Sequence, residues 1–327
     1  MLSTFLYRKG AEVQTTVTRA QMLACLKEKE VLLWVDLEAP NDFEIDCLVE
    51  IFNFHPLAIE DCLSDHHEPK VDDYDEYMFL VMHSLRLVKD AEREVEELAT
   101  IELNIFFGRN YVVTFHKTPV PTIEQTLKAV AKKPERFLSH GADILVHAIL
   151  DRLVDNYQPM LDIYEKKVGE LEDKLFENPP ADYLSAVLEA KRNIFNLRRT
   201  IAPQRDIIYN LTKTANLYIK QKHLIYFKDV YDHMIRIHGI TDVFHESLSN
   251  IMHAYFSYSS HKLNEVIKHM TVLATVTMPA IIVASIYGMN FENMPELGWK
   301  LGYPFALVLS LSISAALLGW MKWKKWM

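Results

Sequence analysis

MTVLATVTMPAIIVASIYGMNFENMPELGWKLGYPFALVLSLSISAALLGWMKWKKWM, residues 270–327, carries six charged side chains: Glu292, Glu296, Lys300, Lys322, Lys324 and Lys325. None lies between 270 and 291, and none between 301 and 321. Residues 270–287 and 303–320 are therefore two uncharged runs of 18 residues, long enough for each to cross a bilayer core as a helix. The second has the Leu, Ala and Ser content and aromatic ends of a membrane helix. Two buried helices of a soluble protein are the plainer alternative, but neither run has a polar face. The short connection carries Glu292, Glu296 and Lys300, and the tail carries three lysines between tryptophans. Positive charge stays on the cytosolic side, so the tail is expected there. Two spans return the chain to its starting side, which puts the large N-terminal part in the cytosol as well.

The whole-chain averages conceal this. The 327 residues are 50% hydrophobic and 24% charged with net charge −9, and the mean hydropathy is near zero. Without residues 270–327, 31 basic and 42 acidic residues remain, net −11. So acidic a chain without a basic block is a poor nucleic-acid binder. Cys25, Cys47 and Cys62 form no CxxC pair and suggest a reducing compartment. The apolar patch of MLSTFLYRKGAEV is too short for a signal-peptide core.

Residues 1–135 read as an α/β domain with a mixed sheet and flanking helices. VLLWVDLE (31–38), YMFLVMHSLRLV (77–88), ATIELNIFFG (99–108) and YVVTFHK (111–117) are strand-like, with helices near 42–52 and 121–132. Residues 136–221 form a helical region. Its first helix runs from 142 to about 176, where Asn178-Pro179-Pro180 breaks it, and a second spans about 181–213, bent at Pro203. From about 222 one stalk helix continues into the first span and ends at 287, roughly 100 Å at 1.5 Å per residue. An outer loop (288–302), the second span (303–320) and a basic tail (321–327) complete the chain.

Two helices cannot enclose a path, so any function across the membrane would require several copies around an axis. Ser257, Ser260, Asn264, Ile267, Thr271, Ala274 and Met278 follow steps of three and four, a seam of mean period 3.5. Small and polar residues there fit a solvated channel with Ile267, Met270 and Met278 as constrictions. They fit ordinary packing of membrane helices equally well.

At the end of the first span stands Gly288-Met289-Asn290, followed by FENMPEL (291–297). Gly288 can leave helical geometry and expose carbonyls, and Asn290 offers a neutral amide oxygen. Alone, the tripeptide also reads as a helix C-cap. Placed before one last span and a lysine-rich tail, it resembles the CorA family of magnesium transporters over the whole chain. That resemblance implies a homopentameric channel for Mg²⁺ influx, with Co²⁺ and Ni²⁺ as further ions, in the cell's inner membrane, with both termini cytosolic. It implies no enzymatic activity and no organic cofactor; the partners are further copies of the chain, divalent ions and lipid. Rings of Gly288 and Asn290 would receive the hydrated ion, which gives up water reluctantly. Asn264 matches a second polar ring. Met270 and Met278 match hydrophobic gate positions, with Met270 in place of a commoner Leu. Glu60 and Asp61 match an acidic pair at the subunit interface, Asp229 its partner on a neighbouring long helix, and Asp151 a further regulatory acid. Internal Mg²⁺ would bridge these carboxylates and hold the pore shut.

His253 departs from the pattern, standing where some members carry an acid; imidazole suits Co²⁺, Ni²⁺ or Zn²⁺. A Zn²⁺ transporter of the same fold, with proton coupling, is thus the first alternative. A membrane-anchored sensor or enzyme is the second, but residues 1–135 show no nucleophile–base spacing. His66-His67 reads as a polar surface turn. No P-loop is present, and a divalent ion gains about 4.6 kcal/mol on entering a cell at −100 mV.

Overall fold

The computed structural model describes residues 1–28, 30–64, 67–89, 96–177, 179–213, 218–290, 294–324 and 326, with the backbone alone at 87, 89, 96, 97, 296 and 297. It divides into two compact units, Met1–Ile251 and Met252–Met327.

The first unit opens with β1 (Leu2–Arg8), α1 (Arg19–Cys25), β2 (Val31–Glu38), α2 (Asp42–Glu50), α3 (Pro56–Leu63), β3 (Lys70–Asp73), β4 (Met78–Lys89), β5 (Glu96–Phe107) and β6 (Tyr111–His116). The strands form one mixed sheet in the order β1-β2-β6-β5-β4-β3. β2 and β6 run parallel, and the other pairings are antiparallel. β2 is buried at nearly every position, which is why VLLWVDLE reads as a dense apolar run rather than an alternating one. Leu33, Val35 and Leu37 face a core shared with Met22, Cys47, Leu48 and Ala58 of α1, α2 and α3. On the opposite face the buried Trp34 donates from Nε1 to Thr114 Oγ1 at 3.2 Å.

Local signals start the small helices. Thr18 and Gln21 form a capping box for α1, and Asn41 and Glu44 one for α2. His55 Nδ1 accepts from Leu57 N–H at the start of α3. β1, α1, β3 and α3 are too short to display a periodicity, and the sequence pattern does not announce them.

Helices follow: α4 (Pro121–Lys132), α5 (Pro134–Leu138), α6 (Ala142–Asp155), α7 (Gln158–Glu177), α8 (Tyr183–Lys213), α9 (Leu224–Tyr287) and α10 (Gly302–Trp323). The single helix expected from 142 to 176 is two. Pro159 removes a backbone donor at the break. Asn156 Nδ2 donates to Thr122 Oγ1 at 2.9 Å, and the buried Tyr157 hydroxyl donates to Gln204 Oε1 at 3.0 Å. Tertiary anchors therefore hold the chain out of helix there. Pro203 is accommodated inside α8. Within the first unit α9 buries Phe227, Val230, Met234, Ile237, Phe244 and Leu248, and Asp242 pairs with Arg198 of α8 at 2.8 Å.

One buried pair ties the sheet to pH. His116 is 1% exposed, and its Nε2 lies 3.3 Å from Asp36 Oδ1, an ion-pair contact too poorly aligned for a full hydrogen bond. Burial alone would lower the imidazole, but the Asp36 carboxylate outweighs it and holds His116 above its ordinary 6.5. The protonated form therefore stabilises the fold. That contribution is fully present below pH 6.5 and is lost as pH rises through the raised value. Thermal unfolding of the full-length protein across this range should show a decline that His116→Gln flattens. An identical pH slope in the variant would remove the pair as its source.

Candidate functional site

The second unit consists of the remainder of α9, a 3-10 turn at Pro295–Gly298, and α10. Both helices contain an 18-residue window apolar enough to cross a membrane, and only 6% and 11% of those windows is buried by the protein itself. Ile281, Ile286, Val308 and Leu311 are half or more exposed. An apolar surface of this extent requires lipid or further protein around it. Several hydroxyls on the spans are satisfied by the helix backbone: Thr271 donates to Ile267 O and Thr275 to Thr271 O, both at 2.8 Å.

α10 lies against one side of α9, where Ser314 Oγ donates to Val276 O at 2.8 Å. On that side Val272, Thr275, Val276, Pro279 and Val283 are buried or half-buried. At about 100° per residue, Ile267, Thr271, Ala274 and Met278 fall on the opposite side. They are all exposed, as are His253, Asn264 and Met270. Ile267, Thr271, Ala274 and Met278 thus lie on the face of α9 that α10 leaves open.

α9 ends at Tyr287, where Gly288 N–H donates to Ala284 O at 2.9 Å and Met289 N–H to Ile286 O at 3.2 Å. A Cβ at Gly288 would meet Ala284 O at 3.1 Å, so glycine suits this tight exit. Asn290 follows, exposed, one residue past the turn. Residues 291–293 of the expected outer loop, Lys325 of the tail and His66 lie outside the described residues.

The predicted regulatory acids divide into two groups in the first unit. Glu60 is exposed on α3. Its neighbour Asp61 is already ion-paired, with Lys70 Nζ 2.7 Å from Oδ2 and His67 Nε2 3.3 Å from Oδ1. Asp151 of α6 and Asp229 of α9 come together within one chain. With His233 they form, among the described residues, the one set of three whose ligand atoms all lie within 4.8 Å of one another. Burial raises the Asp151 carboxyl above its ordinary value; His147 opposes that shift, while Asp155 and Asp229 add to it. Burial likewise lowers the His147 imidazole, against the pull of Asp151 and Asp229. A divalent cation would relieve the repulsion between the two aspartates. His233 is the residue that sequence reasoning passed over. Its signal is the four-residue step from Asp229 in DVYDH, which puts both side chains on one helix face.

A family model described as CorA-like Mg²⁺ transporter protein matches residues 29–325. The chain is 33% identical over 311 residues to the cobalt/magnesium transport protein CorA of Thermotoga maritima, covering 95% of this chain and 88% of the relative. Among solved structures, the complete CorA magnesium transporter of Methanocaldococcus jannaschii superposes with TM-score 0.83 at 18% identity, covering 99% of this chain and 98% of that one. The cytoplasmic domain of ZntB from Vibrio parahaemolyticus superposes with TM-score 0.62 at 12% identity, over 80% of this chain and 99% of that domain. Identities this low carry a likeness of fold.

Proposed function

Because the chain belongs to the CorA-like Mg²⁺ transporter family, a family of divalent-cation transporters and not of enzymes, we propose that it assembles as a homopentameric channel for Mg²⁺ influx, with Co²⁺ and Ni²⁺ as further ions. The observation that carries this reading is the exposed seam of Ile267, Thr271, Ala274 and Met278 on the side of α9 away from α10. In a ring of copies that face lines the axis while α10 faces lipid. Both chain ends then lie in the cytosol, in the cell's inner membrane, as the lysine-rich tail favours.

Each part of the seam has its task. Rings of Gly288, Met289 and Asn290 receive the hydrated ion through neutral oxygens and avoid the cost of stripping its water. Asn264 provides a second polar ring deeper in the path. Ile267, Met270 and Met278 narrow it with apolar side chains that exclude water when closed, and Thr271 and Ala274 leave room between them. His253 forms an imidazole ring near the cytosolic end. Cytosolic Mg²⁺ bound at Asp151 and Asp229, with Glu60 and Asp61 at the subunit contact, holds the pore shut, and its loss releases repelling carboxylates. Mg²⁺ is thus both substrate and regulator.

Flux into proteoliposomes is the test. Mg²⁺ should enter purified protein vesicles down an imposed potential when internal Mg²⁺ is low, and entry should stop when internal Mg²⁺ is high. Vesicles no more permeable than protein-free ones in both conditions would refute a channel. His253, whose imidazole suits Zn²⁺, favours one second reading, Zn²⁺ transport with proton coupling.

A further inference from the structure

A cavity of about 370 Å³ opens where α5, α6 and the start of α9 meet. Two arginines converge on one ring in it: the guanidinium carbons of Arg152 and Arg136 lie 5.1 and 5.8 Å from the Phe137 centroid. Arg152 is half-buried, and one of its nitrogens donates to Ala148 O of its own helix at 2.9 Å. Among the described residues, neither guanidinium belongs to an ion pair. Two like charges against one ring call for an anion that can satisfy both. The planar forks of arginine suit phosphate oxygens in pairs.

Aromatic rings line the cavity as well. The Tyr226 ring stands 5.4 Å from the His147 ring and 6.0 Å from the His223 ring. His223 is fixed in turn, its Nδ1 2.6 Å from Asp143 Oδ2. A tyrosine ring in the same cavity as an arginine pair fits a planar base joined to phosphates, and the volume lies in the range of small-ligand sites. Asp151 also lines the cavity. Its carboxylate would repel phosphates unless they arrive with a cation, and Asp151 already shares the cluster with Asp229 and His233.

We propose that this cavity binds a magnesium–nucleoside polyphosphate, with Arg136 and Arg152 on the phosphates and Tyr226 against the base. The magnesium part rests on the reading of Asp151 and Asp229 as a cation site; the arginine part stands apart from it. The transporter then senses magnesium held by nucleotide as well as free ion.

Calorimetric titration of the full-length protein in lipid nanodiscs tests this, with ATP, tripolyphosphate and adenosine as probes, each with Mg²⁺ and with Mg²⁺ chelated. ATP should bind saturably and more tightly with Mg²⁺, tripolyphosphate more weakly, and adenosine not detectably. Arg136→Gln, at an exposed position, and Arg152→Lys, which keeps the charge and loses the fork, should each weaken ATP binding about tenfold or more, the worth of a charge-assisted hydrogen bond. Absence of ATP binding to the unmodified protein, or binding to either variant as tight as to the unmodified protein, overturns the site. Tripolyphosphate binding as tightly as ATP overturns the nucleotide assignment, and indifference to Mg²⁺ overturns the magnesium complex. Closure of the pore by Mg²⁺ alone, measured without nucleotide, reports separately on the regulatory acids.

Discussion

Replacing Asn290 by Ala should bring Mg²⁺ influx down to the leak of protein-free vesicles while the oligomer still assembles. Asn290 follows a helix end at which Gly288 already satisfies the Ala284 carbonyl, so the substitution removes an exposed amide and leaves the backbone turn in place. In the proposed ring every copy loses its amide at once. Even one hydrogen bond to a charged partner is worth about 1.5–3 kcal/mol, roughly tenfold or more in occupancy. The ion then meets an apolar mouth with nothing to hold its water shell. Asn290→Asp makes the contrasting test. It keeps an oxygen and adds charge, so it should strengthen ion binding and slow release. Gly288→Ala should do less, because its new Cβ meets Ala284 O at 3.1 Å and the neighbour must shift only slightly. Retained flux in an assembled Asn290→Ala protein would remove the outer ring from the mechanism.

The second large effect concerns closure. Asp151→Asn together with Asp229→Asn should leave transport intact and raise the internal Mg²⁺ needed for half-closure by about tenfold or more, since both ionic ligands are lost. The same pair of substitutions should abolish the thermal stabilisation that Mg²⁺ confers, about 2.7 kcal/mol at a hundredfold excess over the dissociation constant. His233→Ala separates the metals. It should weaken closure by Co²⁺, Ni²⁺ and Zn²⁺ more than closure by Mg²⁺, because imidazole is a good ligand for the former and a poor one for the latter. Asp61→Asn should have a smaller effect than either aspartate of the cluster, since Lys70 at 2.7 Å already neutralises Asp61. Unchanged half-closure in the Asp151, Asp229 double variant would contradict the sensor.

The contrast between Asp61 and Asp229 shows what a sequence reveals and what it hides. Charge placement along 270–327 marks both spans directly, because a bilayer imposes its constraint on contiguous residues. β2 and α4 show the same directness, through apolar density and a Pro121 start. The pairing of Asp61 with Lys70 depends on β3 passing beside α3, which no local pattern announces. The interruption at Asn156 and Tyr157 is held by Thr122 and Gln204, residues from distant helices. Along α9 the 3.5-residue seam is legible as a period. Which side it faces is settled only by where α10 binds, at Val276. The Asp151–Asp229–His233 cluster shows both limits, with one step of four readable within DVYDH and the partner on α6 supplied by the fold.

Transport of Mg²⁺ as a passive ion is the central claim, and it is tested most directly by comparing Mg²⁺, Co²⁺, Ni²⁺ and Zn²⁺ entry in the same proteoliposomes while internal pH is followed. A passive Mg²⁺ channel predicts influx that follows the imposed potential, is closed by internal Mg²⁺, and leaves pH unchanged. Zn²⁺ entry accompanied by acidification, with no Mg²⁺ entry under any potential, would contradict it.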